Sequence, residues 1–413
     1  MTIGGRFYKL TIDDVPLRGK TILLRADYNV PLTKDGHVAD DYRIRSSLPT
    51  VKKLLGYGCK VVIISHLGRP DGRRNMQFSL EPAAQRLASL LGRPVRFVDD
   101  CIGNKVKMAI KRAPKNSVTV LENVRFYPGE EANDSDFAKS LAEDSGADYF
   151  VQDGFGVVHR AHASTASITQ FLPSVAGVLL EHEYTTITTA MRHPARPLVA
   201  VMGGAKISDK LPVLNAMIPV ADTIVVGGAL ANTFLANEGM KMGKSKYEAD
   251  QTSVIDEIYA RATKKVGKEQ LDSFLVLPTD LGVGTSLEKT ATRKDVAANH
   301  VGADEMALDI GPQAVAKMLD VLSTAKTVIW NGTLGYSDVP AFATASAKLA
   351  GMLAGHPDVT SIIGGGDTAD FVLHWDKKRG ASFSHVSTGG GASLELMSGA
   401  KLPGIEALID ARR

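Results

Sequence analysis

Short apolar, β-branched runs recur along the chain, separated by longer stretches with helical periodicity. TILLR (21–25), VVIIS (61–65), VRFV (95–98), SVTVL (117–121) and DYFVQ (148–152) come first; PLVAVM (197–202), DTIVV (222–226), FLVL (274–277), KTVIW (326–330), VTSII (359–363) and SHVS (384–387) follow. None alternates cleanly between apolar and polar, the pattern of strands covered on both faces of a parallel sheet. EPAAQRLASLL (81–91) and SDFAKSLAEDSG (135–146) repeat apolar residues about every 3.6 positions and predict crossover helices. The order predicts an α/β chain of two Rossmann-like, doubly wound parallel-sheet domains. SVAGVLLEHEYTTITTAMRHPARP (174–197), closed by Pro194 and Pro197, reads as a helix joining them, with the boundary near 180–195.

Polar residues cluster just after these runs. Arg25, Asp27 and Asn29 follow the first, His66 and Arg69 the second, Glu122, Asn123 and Arg125 the fourth, and Asp153, His159, Arg160 and His162 the fifth. Ligands of open α/β sheets sit outside the carboxyl ends of strands, so each run is a rigid mount for chemistry. Arg25, Arg43, Arg69, Arg125 and Arg160, with His66 and His162, would repel one another on one edge unless an anion sat among them. Guanidinium forks match phosphate and carboxylate oxygens, which implies a small ligand with several negative groups. In the second half, IIGGGDTADF (362–371) sets three glycines between a strand and a helix start, where bare amides and the helix dipole hold phosphate. Asp367 beside that phosphate suits magnesium, which takes one or two carboxylates plus phosphate oxygens. VMGGAKISDKL (201–211) repeats the turn, with Lys206 and Lys210 on one helical face, and VSTGGGASLEL (386–396) adds a third such loop. No general base is conspicuous; phosphoryl transfer between ionised acceptors needs none.

Composition sharpens this picture. The 413 residues are 44% hydrophobic and 23% charged, with only Cys59 and Cys101, so neither a disulfide framework nor a cysteine metal site is expected. No apolar stretch approaches the ~18 residues that span a bilayer, and a cytosolic location is expected. The net charge of +3 divides into +6 over residues 1–180 and −3 over the remainder, favouring an anionic partner for the first half. Two motifs are set aside. GMKMGKS (239–245) has Glu238 where a phosphate loop needs glycine, and no strand precedes it; GFGVVH (154–159) puts His159 in place of the third glycine of a dinucleotide fingerprint. His159 and His162 lack an acidic third ligand for a metal. A dinucleotide enzyme, a different acyl-phosphate kinase, or a nucleic-acid-binding scaffold using the basic half are the competing readings; the scaffold would bind in a strongly salt-dependent way without magnesium.

RADYNVPL (25–32), RIRSSLPT (43–50), SHLGRPDG (65–72), LENVRF (121–126), DGFGVVHRAHAS (153–164), GGAKISDKL (203–211), ANTFL (231–235), LPTD (277–280), WNGTLGY (330–336), GGGDTA (364–369) and SHVSTGGGASLELMSGAKLPG (384–404) resemble, in order, the blocks of phosphoglycerate kinases across essentially the whole chain. The resemblance implies a phosphoglycerate-binding domain at 1–180, onto which 395–413 packs back, and a nucleotide-binding domain at 181–394. It implies that Asp27, Asn29, Arg43, His66, Leu67, Gly68, Arg69, Arg125 and Arg160 hold 3-phosphoglycerate or 1,3-bisphosphoglycerate, with Arg25 and His162 completing the basic patch. Arg43 and Lys206 would stabilise the transferring phosphoryl group. Gly204, Lys210, Gly228, Asn331, Asp338, Gly365, Gly366, Asp367 and Thr368 would bind ATP or ADP with Mg2+, and Asp209 would be a second magnesium contact. Glu183 and His385 resemble the hinge pair. The implied reaction is reversible, magnesium-dependent transfer of the acyl phosphate of 1,3-bisphosphoglycerate to ADP, with hinge closure, by a cytoplasmic monomer that needs neither nucleic acid nor membrane. The chain departs from the family pattern at Thr333 and Asp338, where proline and glutamate are usual, and at Tyr28, Gln152, Gly154 and Ala229. No cationic group is lost, so an active enzyme with adjusted nucleotide binding is expected.

Overall fold

The computed structural model describes residues 7–205 and 207–411, without the side chains of Ile207 and Asp209. Fifteen strands are formed among them. The first six are β1 (Thr21–Arg25), β2 (Lys60–Ile64), β3 (Val95–Val98), β4 (Ser117–Leu121), β5 (Tyr149–Gln152) and β6 (Ser174–Ala176). They make one parallel sheet in the order β3-β4-β2-β1-β5-β6. The remainder are β7 (Leu198–Met202), β8 (Thr223–Val226), β9 (Leu275–Val276), β10 (Asp280–Gly284), β11 (Lys294–Ala297), β12 (Met306–Ile310), β13 (Thr327–Asn331), β14 (Thr360–Gly364) and β15 (His385–Val386). Six of these form a second parallel sheet, β15-β14-β13-β7-β8-β9, and three an antiparallel sheet, β11-β10-β12.

The reason these runs lack alternation is visible in β1. Ile22 and Leu24 pack into one apolar cluster with Ile44, Leu54 and Leu87, while Leu23 between them packs into another with Val106, Phe137 and Phe150. Side chains of opposite parity thus face opposite helical layers, and both parities must be apolar. Helix Glu81–Leu91 spans the run predicted for it: Pro82 sits in its first turn, Gly92 ends it in the left-handed region at φ 62°, and Ala83, Ala84 and Leu87 are its buried stripe. The joining helix is Val178–Arg192, shorter than its apolar pattern suggests, because Ser174–Ala176 pair with β5 as a strand instead.

The chain divides into two compact units, Met1–Thr185 with Lys401–Arg413, and Thr186–Ala400. In the first, the two ends of the chain meet. Lys9 is buried, and its Nζ donates to Glu406 O at 2.8 Å, Leu408 O at 2.9 Å and the Asp410 carboxylate at 2.6 Å. Leu10 N donates to Ile409 O, Ala411 N to Tyr8 O and Gly404 N to Val158 O. The strand order of each parallel sheet reverses once, between β1 and β5 in the first unit and between β7 and β13 in the second. Those two reversals mark where crevices open at the carboxyl ends of the strands.

Candidate active site

In the first unit the loops after β1, β2, β4 and β5 gather the basic residues. Arg25, the last residue of β1, is fully buried: Nε donates to Ser164 Oγ at 2.8 Å, one terminal nitrogen to Ala26 O at 2.5 Å, and the other reaches His66 Nδ1 at 3.3 Å. Burial works against its charge, and Glu130, 4.0 Å away, opposes that effect. Arg43, on helix Tyr42–Gly56, is held by the Asp27 carboxylate at 3.2 Å and by Asn29 O at 3.0 Å, and its side chain remains 29% exposed. Asp27 also accepts from Asn29 N, and Asn29 Oδ1 accepts from Gly68 N at 2.9 Å.

Gly68 lies at φ 62°, and a Cβ there would stand 2.3 Å from the Phe78 ring, so only glycine fits. The loop after β4 clamps this turn. Asn123 Nδ2 donates to Leu67 O and Phe78 O, Glu122 accepts from Ser79 Oγ and Leu80 N, and Arg125 donates to Gly68 O at 2.8 Å. Arg125 is buried and faces Glu131 at 3.2 Å, yet its Nε meets no partner. Arg69 and Arg160 are exposed, and both disfavour charge at Arg125.

The histidines register this convergence. Burial is the main cause that holds His66 well below its ordinary value, and Arg25, Arg125, Arg43 and His162 add to it. Burial, then Arg125, Arg25, Arg160 and His159, pull His162 down to about 4. Both imidazoles are therefore neutral near pH 7 and surrounded by guanidinium groups. The seven basic residues expected from the sequence, drawn from positions 25 to 162, thus share one neighbourhood together with Asp27, Asn29, Leu67 and Gly68.

Sequence reasoning missed what stands behind them. Glu130 is fully buried, accepting from Ser164 Oγ at 2.6 Å and Ser164 N at 2.9 Å, 3.7 Å from His162 Nδ1. Burial raises its carboxyl and Arg25 counters that shift. The signal available was an acidic pair, Glu130–Glu131, five residues past an arginine; its burial was not legible. His159 was set aside as a metal ligand, yet it borders the cluster: its Nδ1 is buried without a partner and its Nε2 takes 3.2 Å from Arg160 Nε.

The second unit builds its edge from backbone. Gly203 and Gly332 press together so closely that a Cβ at Gly332, where φ is 93°, would lie 2.1 Å from Gly203 O. Gly204 and Gly228 complete the contact: Gly204 N donates to Thr333 O, Gly228 N to Leu334 O and Leu230 N to Gly204 O. Asn331, the last residue of β13, is buried; its Oδ1 accepts from Lys210 Nζ, while its Nδ2 has no partner and points toward Gly365. Gly365, at φ 89°, turns the chain into helix Gly366–Trp375, which begins beside helix Gly390–Met397: a Cβ at Gly390 would stand 3.2 Å from Gly366 N. Two helix N-termini thus present adjacent amides. Gly366 and Asp367 are exposed there, whereas Thr368 is buried and its Oγ1 accepts from Gly332 N at 2.7 Å.

Asp338 is exposed in the loop after β13. Lys206 and the Asp209 side chain lie outside the described residues. Glu183 is buried on the joining helix, and His385 opens β15, paired with Ile362. The Walker-like stretch follows a helix, and its Lys244 and Ser245 are used locally, on Asp304 at 2.7 Å and Ala307 N at 2.8 Å. Among the described residues, no group of three or more His, Cys, Asp or Glu is placed to hold a metal, and no helix is long and apolar enough to cross a membrane.

A basic side-chain pocket at one topological switch and an amide-lined glycine edge at another define an α/β protein built for two anions, of the phosphotransferase class. The phosphoglycerate kinase family model matches residues 12–400. Curated phosphoglycerate kinases of Pelotomaculum thermopropionicum and Moorella thermoacetica are 42% and 44% identical over 404 residues, 97% of this chain and 99% of each relative. The solved phosphoglycerate kinases of Coxiella burnetii and Pyrococcus horikoshii cover 97% of this chain and 98% of their own, at TM-scores of 0.81 and 0.82 and identities of 34% and 27%. The chain belongs to the phosphoglycerate kinase family. It is a kinase whose phosphoryl acceptor is a carboxyl group, exchanging phosphate between 1,3-bisphosphoglycerate and ADP.

Proposed function

We propose that the pocket of the first unit holds the phosphoglycerate through Arg43, Arg69, Arg125, Arg160, His66 and His162, with Arg25, Asp27, Asn29, Leu67 and Gly68 shaping it. The observation that carries this reading is the buried, unpartnered Nε of Arg125 among guanidinium groups that outnumber their carboxylate partners. A donor left dry and unpaired is costly unless a ligand oxygen completes it. The nucleotide lies along the backbone of Gly204 and Gly228 with its phosphates at the turn Gly365–Gly366, with Lys210, Asn331 and Thr368 behind them and Asp338 at the ribose. Arg43 and Lys206 meet the charge that spreads over the transferring phosphoryl oxygens.

The residues of the second unit fit magnesium that arrives with the nucleotide. Asp367 is a single exposed carboxylate at an amide-lined turn whose neighbour, Asn331 Nδ2, is an unfilled donor; one carboxylate plus phosphate oxygens is a usual magnesium environment. Asp209 would be a second contact. When bound, the ion would offset charge on the phosphates. Because donor and acceptor must come in line with water excluded, closure about Glu183 and His385 is part of the proposal, as are a monomeric state and a cytoplasmic location. A coupled assay with ATP and 3-phosphoglycerate tests it: turnover that persists in excess chelator, or that needs no phosphoglycerate, would overturn the assignment.

A further inference from the structure

Arg25 differs from the other arginines of the pocket in being wholly enclosed by protein, out of a ligand's reach. It is 0% exposed, and each guanidinium nitrogen is engaged, by Ser164 Oγ, Ala26 O and His66 Nδ1. Ser164 Oγ, which accepts from Arg25, donates in turn to Glu130 Oε1 at 2.6 Å, and Glu130 Oε2 takes Ser164 N. The four groups form one continuous chain from the buried carboxylate to the imidazole, with Arg25 donating in both directions.

Arginine has donors only, so the nitrogen it meets must carry a lone pair. His66 Nδ1 is that nitrogen. A proton there, in the other tautomer or in the imidazolium, would set two donors against each other at 3.3 Å. The single proton therefore sits on Nε2, which has no hydrogen bond among the described residues and is not among their buried unpartnered atoms. We infer that Arg25 is a positioning residue and not a ligand of the anion: anchored on Glu130 through Ser164, it fixes His66 as the Nε2–H tautomer and so presents that N–H to the phosphoglycerate. The charged groups facing His66 agree, since Arg25, Arg125 and Arg43 all oppose a second proton and His162 adds to them. The tautomer follows from geometry alone; the use made of its N–H rests on the anion reading above.

Long-range proton–nitrogen correlation spectra of the 15N-labelled protein test the two parts separately, with His66→Gln assigning the signal. Substrate-free protein at pH 7 should show His66 with a lone pair at Nδ1 and a proton at Nε2, whatever the pocket binds. A proton at Nδ1, or an imidazolium, overturns the relay. Arg25→Met should convert His66 to a mixture of tautomers, raise KM for 3-phosphoglycerate about tenfold, and leave kcat within about threefold, the loss expected for one misdirected hydrogen bond. A raised KM with the tautomer unmoved would make Arg25 an ordinary ligand and overturn the relay while sparing the anion site; a mixed tautomer with unchanged KM would refute the use of the N–H. Should Arg25→Met fail to fold, Ser164→Ala cuts the chain one bond earlier. It should raise KM about threefold and broaden the His66 signal, and no change in either refutes the proposal.

Discussion

On the reading proposed above, the two units bind anions by opposite means. The first uses long cationic side chains anchored by buried carboxylates and amides, so its selectivity resides in where guanidinium groups point. The second presses glycine against glycine until the backbone itself forms the surface, and its selectivity resides in where N–H groups point. A side-chain site is adjustable residue by residue and sensitive to pH; a backbone site tolerates little change in chain geometry yet is indifferent to titration.

The largest test of that contrast is Arg43→Ala, which should cut kcat by about 10³-fold, the scale of one lost cation at a transferring phosphoryl group, while ADP affinity measured by calorimetry stays the same. Lys206→Ala is the matching experiment in the other unit. If either loss appears wholly in nucleotide affinity, the division of labour is wrong.

Next comes Gly332→Ala. Its methyl would meet Gly203 O at 2.1 Å with φ at 93°, so urea unfolding should show a loss on the order of 4 kcal/mol. Gly366→Ala, with no atom within 4 Å of the added Cβ, should leave stability within about 1 kcal/mol but weaken ADP binding. Equal stabilities for the two variants would contradict the backbone account.

The pH contrast is smaller. His162 is held down to about 4 in the folded protein, against an ordinary 6.5. Above 6.5 it is neutral in both states and costs nothing; as pH falls toward 4 the unfolded chain takes a proton that the folded one refuses, and stability is lost. His162→Gln should therefore gain on the parent by on the order of 2 kcal/mol between pH 6.5 and 4, read from the difference in urea midpoints. Parallel curves would place the imidazole in a less cationic setting. Last, Asp338→Glu should tighten ADP binding a few-fold, on the order of 0.5–1 kcal/mol for a better-reaching ribose hydrogen bond, without affecting 3-phosphoglycerate; an unchanged Kd removes Asp338 from the ribose.

Much of this was legible in the sequence because parallel strands announce themselves. TILLR, VRFV and SVTVL coincide with β1, β3 and β4 residue for residue, and the other runs miss by a residue or two at their ends. The three-stranded sheet was invisible for the same physical reason: β10 reads DLGVG, two glycines interrupting its apolar content and its register shifting against β12, and β11, KDVA, is largely exposed. Antiparallel strands at a surface need no continuous apolar run. In the site, the convergence of Arg25, Arg69, Arg125, Arg160, His66 and His162 could be anticipated from their places after strands, and that of Arg43 from the helix after the first, whereas His159 at their border could not. Glu130 could not, since nothing in PGEE distinguishes a solvated acid from a buried one. Nor could the Thr368 hydroxyl's attachment to Gly332 N, which depends on a contact across 36 residues.

The contacts of residues 8–10 and 158 with residues 404–411 bear on the order in which the first unit is completed. Tyr8, Lys9 and Leu10 bond to Glu406 through Ala411, and Val158 to Gly404, so the first unit gains these contacts only after residues 404–411 have been made. Units made early ordinarily fold early on the ribosome. Here the residues of the second unit, 186–400, are all made before 401–411, so the first unit forms its last contacts after the second has its full sequence.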